Sequence, residues 1–411
     1  MPLRFRLLLA LLLAPLAVEA QTAALSRLRA GEPTRIVCFG DSITGLYYHT
    51  GGHRDWCDLV GLGLRQVYPR ADLAMINAGV SGNTTVNALQ RMDTDVLATH
   101  PHLVLVMFGM NDVAHLPPEE FRANLVAIHR RAHAAGAEVA FLTTTPSFPG
   151  DAQRPPEKVA QYAAIIREVG RDLGLTVVDT HAAFAADCAA DPMARARLMS
   201  DAIHPNLRGH ELIAETVVGR LTGQRVSLAT LPPRSPALPR VQAQLQARAA
   251  LRVVAMKPFD TLIGPALRRI DPGLKVEVVS WDVAGKSLAT LMHEAEARGW
   301  PSFHQPTDRP RPDLVILAVP AEANAPDVDH YYHDYAWVMN WSQSFKQPGW
   351  DCVVMLPSVA DPTLISAEAQ ALDVVQGNDL LWLRRTAGDQ RDAETLLTEW
   401  LRAHLAPSPT R

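Results

Sequence analysis

The fold class this sequence predicts is α/β: three layers, with a parallel five-stranded sheet between two layers of helices, and that arrangement present twice. Three observations predict it. Short apolar runs alternate with amphipathic helical patterns through the first half. The runs carry Val, Ile, Leu and Met at both parities, as strands buried on both faces do. After a proline-rich stretch the same alternation begins again.

The strand-like runs of the first half fall at 35–39, 73–77, 103–108, 138–143 and 176–178. Helical patterns fill the intervals, at 56–67, 84–98, 118–135, 157–173 and 205–221. Ligands of such sheets bind beyond the carboxyl ends of the strands, so functional side chains are expected directly after a strand.

Residues 226–240, VSLATLPPRSPALPR, contain four prolines and no strand or helix period, and a linker is expected over 226–245. Beyond it, strand-like runs recur at 251–256, 275–280, 313–319, 352–357 and 380–384. RVVAMKPFDTL aligns beneath RIVCFGDSITG, and VVSWDVAGKSLATL beneath MINAGVSGNTTVNAL, strand end with strand end. The expected domains are therefore 30–225 and a diverged second copy at 246–405.

The chain has 411 residues, 39 Lys and Arg against 43 Asp and Glu, and a formal net charge of -4. That balance excludes a nucleic-acid surface of the basic kind. The first residues, MPLRFRLLLALLLAPLAVEA, place two arginines before an apolar stretch too short to span a bilayer, with Val18-Glu19-Ala20 at its end. They read as a signal peptide over 1–20, so a secreted or periplasmic protein without stable membrane insertion is expected. Export would make Cys38, Cys57, Cys188 and Cys352 candidates for disulfides, but their spacing selects no pairing.

Four polar clusters stand where chemistry is expected. They are Gly40-Asp41-Ser42, the segment from Ala78 to Asn83, Gly109-Met110-Asn111-Asp112, and Asp201-Ala202-Ile203-His204-Pro205-Asn206 before the last helix of the first half. A serine hydroxyl needs a base, and the base needs an acceptor that fixes its tautomer. Asp201 and His204 can supply both from one turn, Asn111 offers a side-chain N–H, and Gly82 lets a backbone N–H approach a ligand. Any one cluster alone would read as turn and helix-cap chemistry.

Over residues 35–222 the sequence resembles the SGNH (GDSL-type) hydrolases, through Ser42 in FGDSITG, Gly82 in NAGVSGNTT, Asn111 in GMND and His204 in DAIHPN. The resemblance implies the flavodoxin-like fold of that family and a catalytic triad of Ser42, His204 and Asp201. It also implies an oxyanion hole from the backbone N–H groups of Ser42 and Gly82 with the Asn111 side chain. An acyl-enzyme mechanism follows, with no cofactor and no metal.

Residues 47–56, YYHTGGHRDW, follow the serine, and Tyr47, Tyr48, His49, His53 and Arg54 are expected to line a substrate pocket. Their polar and aromatic mix suits a sugar better than a long acyl chain. At the matching place the second half has Lys257-Pro258-Phe259-Asp260, and Pro320-Ala321-Glu322-Ala323 answers GMND. It reads as a copy that kept the fold and lost the chemistry, serving as support, dimer contact or cleft wall. Asn83-Thr84-Thr85 and Asn340-Trp341-Ser342 fit a glycosylation sequon.

The functional expectation is an exported serine esterase acting on small-molecule or polysaccharide esters, acylated carbohydrate first among them. A lysophospholipase or thioesterase and a non-catalytic glycan-binding protein are the alternatives. Oligomeric state is left open.

Overall fold

The structure, a computed structural model, describes residues 22–45, 48–231, 236–304, 310–344 and 349–405. The expected leader at 1–20 and Tyr47 lie outside the described residues, and Tyr48 is described in its backbone alone.

Strand β1 (Thr34–Gly40) pairs in parallel with β2 (Leu73–Gly79) on one side and β3 (Leu103–Met107) on the other. With β4 (Glu138–Leu142) and β5 (Thr176–Val178) the sheet runs β2-β1-β3-β4-β5, parallel throughout. Consecutive residues of β1 and β3 are buried because helices cover both faces, which is why these strands read as unbroken apolar runs. The winding direction changes between β1 and β3, and a crevice opens beyond their carboxyl ends.

Local chemistry sets the helix limits. Helix Trp56–Val67 starts at Asp55, whose carboxylate accepts from the N–H groups of Cys57 and Asp58, and it buries Trp56, Leu59, Val60 and Leu64. Helix Leu207–Thr222 starts at Asn206, which accepts from the Gly209 N–H, and stops at Gly223 with φ 70°.

The second half repeats the plan. Strands β6 (Leu251–Met256), β7 (Val276–Trp281), β8 (Leu314–Leu317), β9 (Asp351–Met355) and β10 (Leu381–Leu383) form a parallel sheet in the order β10-β9-β8-β6-β7. Read from the other edge, that is the order of the first sheet.

The likeness extends to single hydrogen bonds. Glu138, the first residue of β4, accepts from the N–H groups of Ala23 and Ala24 and so caps helix Ala23–Ala30; Asp351, the first residue of β9, does the same for Arg240 and Val241 in helix Pro239–Gln246. Before β3 the His102 ring accepts from the Arg35 N–H, and before β8 the Asp313 carboxylate accepts from the Arg252 N–H. Gly82 and Gly285, aligned from sequence, have φ of 74° and 69°. The second half is a copy of the first in topology and in these local devices.

Some elements differ from expectation. Helix Pro239–Gln246 begins inside the segment read as linker; it buries only Val241, too little for an apolar stripe, and is held by the Asp351 cap. Helix Thr180–Ala190 was not expected, because its alanine-rich sequence buries only Thr180 and Phe184. Of the four cysteines, Cys38, Cys57 and Cys352 are buried and Cys188 is half-buried. Among the described residues no helix is long and apolar enough to cross a membrane.

The two halves have their own buried cores, Met193 and Ala196 of the first pack against the core of the second, and ion pairs join the two. Asp373 binds Arg197 at 2.7 Å, Arg208 at 2.5 Å and the Tyr332 hydroxyl at 2.5 Å, while Arg54 grips Asp379 through Nε at 2.7 Å and Nη2 at 2.5 Å.

Candidate active site

β1 ends in a turn that presents Ser42. The N–H groups of Thr44 and Gly45 donate to the Asp41 carbonyl at 3.2 and 3.0 Å, and the Asp41 carboxyl accepts from the Ile43 N–H at 3.0 Å. A side chain at Gly40 would strike Thr44 and the Met107 carbonyl, so only glycine lets the chain turn here. Asp41 is buried, and burial pushes its carboxyl up to about 7.

The other partner comes from the loop before helix Leu207–Thr222. His204 Nε2 lies 3.0 Å from Ser42 Oγ, and His204 Nδ1 lies 2.8 Å from Asp201 Oδ2. The other Asp201 oxygen accepts from the N–H groups of Ile203 and His204 at 2.8 and 2.7 Å, which closes the loop on itself. Burial would raise the Asp201 carboxyl, but the hydrogen bond and charge of His204, then His49 and the Ile203 N–H, hold it well below the usual carboxylate range.

Gly82 sits in the loop after β2 with φ 74°, and a Cβ there would meet nothing, so its surface is open. Asn111, 5% exposed, donates through Nδ2 to the Asn83 carbonyl at 3.1 Å. Its Oδ1 accepts from Arg154 Nη2 at 2.9 Å, and Arg154 also donates to the Met110 carbonyl and pairs with Asp151. Asp112 accepts from the Thr85 N–H at 2.8 Å and the Gly109 N–H at 3.1 Å, joining the third strand end to the helix after Gly82. Ser42, Gly82, Asn111, Asp201 and His204 are thus brought to one end of the first sheet.

The expected pocket loop divides, with His49 beside Ser42 and Arg54 turned away from it. His49 is buried, with its ring stacked on that of His204 at 4.0 Å between centroids and 14° between planes, and with Nδ1 3.1 Å from Ser200 Oγ. His53 is half-buried in the turn. Arg54, expected on the substrate, is instead drawn to Asp379 of the second half, because a partly buried guanidinium is best satisfied by a two-pronged carboxylate.

His49, Asp201 and His204 offer ligand atoms within 4.8 Å of one another, the one such trio among the described residues. Parallel stacked rings do not converge on a point as metal ligands do, and Asp201 Oδ2 is already engaged by His204. The trio has the form of a hydrogen-bonded acid and base with a second ring behind the base.

Sequence reasoning missed Arg154, Ser200 and His210. Arg154 does follow a strand, but at the far end of a long loop. His210, buried and accepting from the Trp56 N–H at 3.0 Å, is held down to about 3 by burial and then by His204. It looked like one polar residue on a helix.

Residues 38–212 match the GDSL-like lipase/acylhydrolase family. An acetylxylan esterase of Geobacillus stearothermophilus is 29% identical over 171 residues, covering 38% of this chain and 75% of that protein. An uncharacterized lipoprotein of Bacillus subtilis, YqeF, is 32% identical over 127 residues, 28% of this chain and 50% of that protein. Among solved structures, that of an acetylxylan esterase of G. stearothermophilus, Axe2, aligns at 24% identity and a TM-score of 0.42, covering 49% of this chain and 99% of that one. The first half of this protein is an SGNH hydrolase domain of the GDSL-like lipase/acylhydrolase family, and the protein is a carboxylic ester hydrolase.

Proposed function

We propose that the protein is an exported serine esterase that removes acetyl or similarly short acyl groups from carbohydrate. The observation that carries the mechanism is the line from Ser42 Oγ through His204 to Asp201, at 3.0 and 2.8 Å.

Ser42 Oγ attacks the ester carbonyl while His204 Nε2 takes its proton. Asp201 keeps the Nδ1 proton in place and stabilises the imidazolium. Negative charge on the carbonyl oxygen is met by the second N–H of the Asn111 amide and by the backbone N–H groups of Ser42 and Gly82. The tetrahedral species collapses as His204 protonates the leaving alkoxide, and the acyl group remains on Ser42. Water, deprotonated by His204, then releases the acid.

A short acyl group is favoured by the narrowness of the crevice at Ser42, which is lined by Ile43, Gly45, His49, Thr50, Pro205 and His210. A sugar is favoured by a cleft of about 340 Å3 beside Asp201, lined by Pro149, Arg195, Tyr332 and His333 and so shared by both halves. Similarity to an acetylxylan esterase points the same way. Export rests on the charged and apolar pattern of residues 1–20.

Acetate release from acetylated xylan, compared with turnover of p-nitrophenyl esters of rising chain length, tests the substrate. Acetate release together with a fall in kcat/KM beyond short chains is expected. Preference for long acyl chains would instead assign the enzyme to lipid esters.

A further inference from the structure

Helix Val328–Ser342 of the second half reaches the catalytic cluster. Trp337 Nε1 donates to the Ser200 carbonyl at 3.1 Å, and Asn340 Nδ2 donates to Ser200 Oγ at 3.0 Å. Ser200 Oγ lies 3.1 Å from His49 Nδ1, and the His49 ring lies flat against His204. The Trp337 ring meets His49 edge-on, with 5.8 Å between centroids. Asn340, Ser200 and His49 are 1%, 2% and 5% exposed, so bulk water does not compete for these bonds.

The proton positions follow from counting. A serine hydroxyl has one hydrogen and two lone pairs; Asn340 donates to one lone pair, and among the described residues His49 Nδ1 is the acceptor within reach of the hydrogen. His49 Nδ1 is then a lone pair, and the ring carries its proton on Nε2.

We propose that helix Val328–Ser342, acting through Asn340 and Ser200, fixes His49 as a neutral ring stacked on His204, which keeps His204 turned with Nε2 to Ser42 and Nδ1 to Asp201. Asn340, Ser200 and His49 are positioning residues for the esterase reaction proposed above, on which this inference rests. The second half, with no nucleophile at its own first strand end, then completes the site of the first.

Neutrality matters as much as stacking. An imidazolium forms on His204 in each half-reaction, and a second positive ring at 4.0 Å would oppose it. The titratable groups acting on His49 are His204, Asp201 with an oxygen 4.0 Å from Nδ1, and His210; from helix Val328–Ser342 the Trp337 ring meets it, while His333 and Asp334, one turn before, pair with each other. Burial first, and then the charge of His204, hold His49 well below the usual imidazole range.

Asn340→Leu keeps the branched shape and removes the donor. With p-nitrophenyl acetate, kcat is expected to fall about 10-fold with KM within about twofold. The acid limb of kcat/KM is expected to move to lower pH, because a freed His49 Nδ1 takes a proton and competes for Asp201. Ser200→Ala should do the same, and Ser200→Thr, which restores a hydroxyl, should return kcat to within about threefold of wild type. A role confined to joining the two halves would lower Tm and leave the limb in place.

Nitrogen-15 chemical shifts of the wild-type imidazoles provide a readout that needs no variant. His49 is expected to show a bare Nδ1 and a protonated Nε2 between about pH 5 and 8. A protonated Nδ1 there, or Asn340→Leu with wild-type kcat and acid limb, overturns the proposal. Fluorophosphonate labelling of wild type separates the two levels: no labelling refutes the esterase mechanism, whereas labelling with an unaltered Asn340→Leu refutes only the role of the helix.

Discussion

Arg154 donates to the side-chain oxygen of Asn111 at 2.9 Å, while the NH2 end of the same amide donates to the Asn83 carbonyl at 3.1 Å. The cation therefore decides which end of Asn111 faces the Gly82 loop. Arg154→Met leaves Asn111 able to turn over, and kcat on p-nitrophenyl acetate is expected to drop about 10 to 100-fold with little change in KM. Arg154→Lys, which keeps the charge but not the two-pronged grip on Asn111 and Met110, should fall between the two.

Asn111→Ala removes the donor itself. A loss of about 100 to 1000-fold in kcat, about 3 to 4 kcal/mol of transition-state stabilisation, is expected from steady-state kinetics. Unchanged kcat would assign the oxyanion to other groups.

Arg54 is committed to Asp379, with the two side chains 15% and 8% exposed. Arg54→Ala removes the two-pronged partner of that carboxylate, and a destabilisation of about 2 to 4 kcal/mol is expected in urea unfolding. KM for a small ester should stay as it was; a large rise in KM would return Arg54 to the substrate.

Asp41 gives a dependence on pH with the less common sign for a carboxylate. Its carboxyl is raised from 3.8 to about 7 in the folded chain, so its contribution to stability is fully present below about pH 4 and lost as the pH rises to about 7. Asp41→Asn, which can still accept from the Ile43 N–H, should remove this loss. Relative to wild type the variant should gain on the order of 4 kcal/mol between those limits, read from urea midpoints across pH. Parallel pH profiles for the two proteins would mean that Asp41 ionises as an exposed carboxylate does.

Gly82 has φ 74° with open space above it. Gly82→Ala meets no neighbour, so its cost is backbone strain of about 1 to 2 kcal/mol, or a shift of the loop. Activity is expected to suffer more than Tm, since the loop carries an oxyanion N–H.

The sheets were legible because strands buried on both faces leave unbroken apolar runs, and Trp56 to Val67 was legible to the residue because Asp55 caps a strong apolar stripe. Helix Thr180–Ala190 was not, since alanine carries little periodic signal. In the site, Ser42, Gly82, Asn111, Asp201 and His204 each stand at a strand end or before a helix, where turn residues are few and countable. Arg154, Ser200 and Asn340 were invisible for a different reason. Their work is done across separations of 43, 151 and 140 residues, and nothing local marks a residue whose partner is that distant. The sequon at Asn340 shows the reverse hazard: a local motif whose asparagine is buried against Ser200.

The central claim, that Ser42 is a nucleophile activated by His204, is tested most directly by fluorophosphonate labelling followed by peptide mapping. Wild type should be labelled on Ser42 alone, with Ser42→Ala unlabelled and His204→Ala labelled far more slowly. A wild-type protein that resists the probe, or a Ser42→Ala variant labelled equally well, would contradict it.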